Sequence, residues 1–187
     1  MRIAIFGGSF DPIHIAHVAI VKEVLKKLDI EKVIVVPTYL NPFKSSFYLN
    51  PKTRFKLLKK VFKEFEKVEI CDYEINQEKT SYSIDTVNYL KNLYNPSKIY
   101  LIIGEDNLET LDKWYEIDKL KELVEFVVAT RKSFESKKAK EFKNLDIDIN
   151  ISSSLLRDKV NLNYIPKEIK DDILNLQEKG KSFWILD

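Results

Sequence analysis

Short apolar runs rich in valine and isoleucine alternate along this chain with stretches in which apolar positions recur every three to four residues. The runs at 2–6, 33–37, 68–71, 98–103 and 125–130 predict buried strands, and a weaker sixth is expected at 147–151. The periodic segments between them, 15–28, 51–65, 83–94 and 106–123, predict amphipathic helices, the last one broken near Trp114. Two more helices are expected towards the C-terminus. One is 152–160, opened by serines of the kind that cap helices; the other is 166–178, with Pro166 at its first position and Gly180 just beyond its end. Alternating strand and helix argues for parallel strands joined by right-handed crossovers. The expected fold class is α/β: a doubly wound, Rossmann-like, mostly parallel sheet with helices on both faces and a short C-terminal helical region.

Composition narrows this picture. A length of 187 residues predicts one domain spanning the whole chain, and 44% hydrophobic with 32% charged residues is enough to bury a core. The longest apolar run, 99–103, is far below the ~20 residues of a membrane helix. The glycine turn at Gly7-Gly8 comes too early for a signal peptide of the usual form, so a cytoplasmic location is expected. Cys71 is the one cysteine, which excludes an intramolecular disulfide and a four-cysteine zinc site. The 31 basic and 29 acidic residues are interspersed, which indicates neither a nucleic-acid partner nor an acidic membrane surface, and nothing indicates an oligomeric state. Only Arg2, Arg54, Arg131 and Arg157 are arginines, which makes Arg131 and Arg157 candidates for bidentate phosphate contacts. The most polar stretch, 132–146, reads as a solvated connector with a short exposed helix. Trp184 reads as a packing anchor.

Ligands of open parallel sheets bind beyond the C-terminal ends of the strands. Three of the four glycines stand at such exits: Gly7 and Gly8 after the first strand, Gly104 after the fourth. The first exit, Gly7 to His17, has neither the GxGxxG spacing of a dinucleotide fingerprint nor the GxxxxGK[ST] of a P-loop. It holds both histidines of the chain, His14 and His17, three apart at the start of a helix. Such a pair shares one helix face beside open backbone N–H groups, a disposition suited to an anion. A zinc pair is the competing reading, with Asp11 and Asp106 as its available further ligands.

These residues carry a resemblance. GGSFDPIHIAH at 7–17, paired with ISSSLLR at 151–157, resembles the nucleotidyltransferase superfamily with HxGH and ISSTxxR-type motifs. Within it, the chain is similar to the bacterial nicotinate-mononucleotide adenylyltransferases. PTYLNPFK at 37–44, TSYSIDT at 80–86, IIGEDNLETLDKWYE at 102–116 and ATRK at 129–132 follow in the family's order. Two positions depart from the pattern: Ala16 stands where HxGH has glycine, and Ser154 where ISSTxxR has threonine. The resemblance implies adenylyl transfer from ATP, with Mg2+ carried by the nucleotide and no protein metal site, to nicotinate mononucleotide, releasing pyrophosphate. It implies catalytic roles for His14, His17, Lys44 and Arg157, and ATP contacts from Gly7, Gly8, Ser9, Phe10, Gly104, Asp106, Ile151, Ser152 and Ser153. Acceptor contacts are implied for Thr80, Tyr82, Trp114, Tyr115 and Arg131, with the pyridine ring stacked on Trp114. The alternatives are another transferase of the superfamily, forming dephospho-coenzyme A or a CDP-alcohol, and a nucleotide-binding module without turnover. His14 stands where the first of these usually has threonine. For Asp106, a helix N-terminal acid is an equally simple reading.

Overall fold

The structure is a computed structural model that describes residues 1–131 and 137–178. Gly180 and Trp184 lie outside the described residues. Six strands, β1 (Arg2–Gly8), β2 (Lys32–Pro37), β3 (Val68–Ile70), β4 (Lys98–Gly104), β5 (Glu125–Arg131) and β6 (Lys143–Ile147), form one sheet in the order β3-β2-β1-β4-β5-β6. Every neighbouring pair is parallel. This is the doubly wound order, and its switch point lies between β1 and β4.

The strand runs are apolar at almost every position because both faces of the sheet are covered. Period-two alternation divides them. Ala4, Phe6, Val33, Val35, Ile102, Val127 and Leu145 meet Ala16 and Val21 of α1 (Ile15–Lys27), Leu58 of α2 (Pro51–Val61), Leu156 of α6 (Ser153–Asp158) and Ile173 of α7 (Lys170–Glu178). On the other face Ile3, Ile5, Ile34, Val36, Leu101, Ile103 and Val128 meet Ile84, Val87 and Leu90 of α4 (Ser83–Tyr94) and Leu120 of α5 (Ile117–Leu123). No helix among the described residues is long and apolar enough to cross a membrane.

The structure departs from the sequence expectations in five places. The segment 106–123 is not one broken helix: two 3-10 turns, Glu105–Asn107 and Leu111–Lys113, precede α5. Leu108 and Leu111 are both buried at a spacing of three, which is the period of a 3-10 turn as well as one that an α-helix tolerates. The sixth strand is Lys143–Ile147 rather than 147–151, so the end of the polar 132–146 stretch is edge strand, with Leu145 and Ile147 buried. The second helix ends at Val61, short of 65. A one-turn helix, α3 (Tyr73–Asn76), follows β3 where none is expected. Pro166 is the extended residue before a 3-10 turn, Lys167–Ile169, that leads into α7.

Candidate active site

β1 and β4 end side by side at the switch point, and a cavity of about 790 Å³ opens above them. It is lined by Gly7, Gly8, Ser9, Phe10, His14 and His17 from the first exit and by Gly104 and Asp106 from the fourth. Lys44, Tyr82, Trp114, Tyr115, Ser152, Ser153 and Arg157 line it as well. Of the remaining expected residues, Ile151 is buried in the core, the lining passing from Asn150 to Ser152 without it. Thr80 is half-buried and also outside the lining. Arg131 closes β5, and its side chain lies outside the described residues.

The first exit is shaped by tight packing. A Cβ at Gly8 would stand 3.2 Å from the Phe10 ring. Phe10 itself has φ 47°, an uncommon conformation for a bulky residue. That turn aims its ring inward, edge-on to Phe6 at 5.3 Å and to the His17 imidazole at 4.9 Å. His14 takes the N-cap position of α1 in extended backbone, and its ring stacks on that of His17 at 3.7 Å. The His14 backbone N–H donates to His17 Nδ1 at 3.2 Å. With Nδ1 accepting, the neutral His17 ring carries its proton on Nε2, which makes Nε2 a donor.

Two buried side chains, Asp11 and Arg54, hold this loop, a structural role that the sequence pattern does not reveal. The Asp11 carboxylate accepts the backbone N–H groups of Tyr48 and Leu49, each at 2.7 Å, one on either oxygen. This corrects the reading of Asp11 as a metal ligand: its oxygens already tie the β1 exit to the segment before α2. Among the described residues no group of three or more His, Cys, Asp and Glu is arranged to hold a metal ion. Arg54, 1% exposed, donates from Nη1 to the carbonyls of Ser9 (2.6 Å) and Thr38 (2.8 Å), from Nη2 to Tyr39 (2.9 Å) and from Nε to Leu49 (2.9 Å). It thereby fixes the exits of β1 and β2 to each other. Its rarity as one of four arginines was the one available signal, and it did not separate Arg54 from the other three.

The C-terminal motif closes the far side. Ser152 caps α6 by accepting from the Leu155 N–H (3.3 Å), and Ser153 Oγ donates to the Pro12 carbonyl (3.0 Å). Arg157 donates from Nη1 to the Asp11 carbonyl and from Nη2 to Ser154 Oγ, both at 2.8 Å. Ser153 thus ties α6 to the β1 exit and Ser152 caps the helix, while the guanidinium keeps further N–H groups at the cavity. Lys44 Nζ reaches Ser9 Oγ at 3.4 Å. Partial burial, then Arg157, hold its ammonium below the usual lysine value, with Asp11 opposing. Asp106 is exposed in a three-residue 3-10 turn, which removes the α-helix whose dipole could have explained it.

Elsewhere on the lining the Tyr82 and Tyr115 rings meet at 4.8 Å, and Trp114 lines the cavity as well. Tyr82 is the N-cap of α4, and its N–H donates to Asp85 at 3.4 Å. The site is therefore one cavity with a basic end, a stacked imidazole pair and an aromatic end.

Known proteins of the same construction resolve the kinship. The family described as cytidylyltransferase-like matches residues 5–159. A protein of Aliarcobacter butzleri described as a "probable nicotinate-nucleotide adenylyltransferase" is 69% identical over 97% of this chain and 99% of its own length. The chain belongs to the cytidylyltransferase-like family, in its nicotinate-nucleotide adenylyltransferase branch. A protein of Campylobacter jejuni with the same description is 50% identical over 96% of this chain and 98% of its own. Among solved structures, the Plasmodium falciparum nicotinic acid mononucleotide adenylyltransferase complexed with NaAD superposes with a TM-score of 0.77 at 25% identity, covering 97% of this chain and 98% of that one. Membership of that branch makes the chain an enzyme, and both histidines of the HxGH pattern line the cavity, with Ala16, 4% exposed, between them.

Proposed function

We propose that the chain transfers the adenylyl group of MgATP to the 5′-phosphate of nicotinate mononucleotide, forming nicotinate adenine dinucleotide and pyrophosphate. The observation that carries this reading is the position of the stacked His14–His17 pair, on the wall of one cavity that is basic at Lys44 and Arg157 and aromatic at Tyr82, Trp114 and Tyr115. An acceptor phosphate oxygen attacks the α-phosphorus, the bond from that phosphorus to the bridging oxygen of the β-phosphate breaks, and pyrophosphate leaves with the electron pair. The protein need not form a covalent bond in such a transfer; positioning and charge stabilisation supply the catalysis.

His17, with Nδ1 occupied by the His14 N–H, presents Nε2–H to an α-phosphate oxygen as charge grows there. Lys44 and the free edge of Arg157 face the leaving phosphates. Mg2+ enters with the triphosphate and offsets its charge. Gly7, Gly8 and the backbone around Ser9 allow the nucleotide to approach β1 closely, and Trp114 and Tyr115 receive the pyridine ring. The bound NaAD of the Plasmodium falciparum relative supports this pairing of substrates in one site. The test is competition between nicotinate and nicotinamide mononucleotides at equal concentration with MgATP, the dinucleotide products being separated by charge. The acid dinucleotide should dominate, and an equal or reversed ratio would reject the nicotinate assignment.

A further inference from the structure

Glu74, on α3, is an acid that the transfer described above does not use. It is 5% exposed, lines the cavity and accepts the Thr86 hydroxyl on Oε1 at 2.5 Å. Thr86 lies in the opening turns of α4, the helix that Tyr82 caps, so this carboxyl sits beneath the aromatic end of the cavity. Oε2 is buried and makes no hydrogen bond with any described residue; the same holds for Ser81 Oγ and Trp114 Nε1, also on the lining. The aromatic end is thus backed by buried polar atoms that the protein's own contacts leave unsatisfied, a costly arrangement that functional sites retain.

We propose that Glu74 is a specificity-determining residue of the acceptor end: uncharged, it admits an acceptor whose ring bears a carboxylate, and ionised, it repels that acceptor while leaving an amide-bearing one unaffected. This rests on the aromatic end receiving the pyridine ring, as proposed above. The physical basis is that two carboxylates near each other in a poorly solvated site cannot both ionise without a large repulsion. Burial, the first cause, pushes the Glu74 carboxyl up to about 7; the Thr86 hydroxyl opposes and the Asp85 charge adds. Among the described residues no cation offsets its charge. Asp85 faces it from α4, Tyr73 shares its turn, Asp72 is the N-cap of that turn and Cys71 precedes it. β2, against which α3 packs, contributes apolar Ile34 and Val36 to that face.

The experiment measures kcat/KM for nicotinate and nicotinamide mononucleotides from about pH 6 to about pH 8.5. The two share the 5′-phosphate, so their ratio cancels its ionisation and that of the histidines. The acid-to-amide ratio should fall above pH 7 by up to about tenfold per pH unit, the limit for one ionisation. Glu74→Gln, which keeps the neutral shape, should make the ratio independent of pH. Thr86→Val removes the hydrogen bond that favours ionisation, so the fall should move to higher pH; this variant tests the idea even if Glu74→Gln folds poorly. A ratio that is flat in the wild type, or that falls equally in Glu74→Gln, overturns the role of Glu74. A ratio below one at every pH, with the fall intact, would instead reject the nicotinate assignment and leave Glu74 as the discriminating group.

Discussion

His17 accepts the His14 backbone N–H on Nδ1, which leaves the proton of its neutral ring on Nε2, the donor that the proposed transfer uses. His17→Ala should lower kcat by roughly 10²–10³, the usual loss for one preorganised donor. Its thermal midpoint should stay within about 5 °C of the wild type, since one partly buried ring is lost and no buried charge is exposed. Turnover near normal in this variant would remove His17 from the transition state. Arg157 combines two tasks, fixing the β1 exit at the Asp11 carbonyl and facing the phosphates. Arg157→Lys keeps the charge but cannot make the fork, so the KM for ATP should rise about tenfold or more while that for the acceptor stays close to normal. Unchanged ATP kinetics would contradict the assignment. Glu74 also predicts a pH effect on stability. Its pKa is raised in the folded state, so the unfolded chain ionises first, and the folded state loses stability as pH rises from about 4.5 towards about 7. Glu74→Gln should remove that part of the decline, measurable as a smaller drop in thermal midpoint across the same range.

The elements differ in how far the sequence revealed them, and packing explains the difference. The five β-branched strands and the helices α1 and α4 are legible because their apolar spacing matches a face that is in fact buried. The 3-10 turns at Glu105–Asn107 and Leu111–Lys113 are not, since apolar spacing of three fits both kinds of helix. α3 has only four residues and no periodicity to read. The site divides in the same way. Glycines at strand exits, histidines three apart and the serine-rich start of α6 are local signals, whereas Asp11, Arg54 and Glu74 become important through partners 12 to 45 residues away. Arg54 is the clearest case: its four carbonyl partners come from two different strand exits and the approach to α2. Arg54→Lys leaves some of these carbonyls unsatisfied and should destabilise the fold by about 2–4 kcal/mol in urea denaturation. A loss below about 0.5 kcal/mol would show that the loop holds without it.

At the scale of the whole molecule, the sheet carries a separate apolar core on each face, and the C-terminal segment completes one of them. Ile165, Ile169 and Ile173 are buried with Leu57 and Leu58 of α2 and with Leu156 of α6, so the helix bearing Arg157 is seated on that packing. Ile169→Ala should cost about 2–4 kcal/mol and lower the thermal midpoint by roughly 5–15 °C. Its ATP KM should rise more than its acceptor KM, because α6 borders the phosphate end; an equal rise in both would contradict that division of the cavity. The central claim is that this cavity moves an adenylyl group from ATP to a mononucleotide phosphate. Incubation with MgATP labelled on the α-phosphate and nicotinate mononucleotide tests it most directly. The label should appear in the dinucleotide, in step with unlabelled pyrophosphate. Label recovered in inorganic phosphate or pyrophosphate, or no labelled dinucleotide at all, would contradict it.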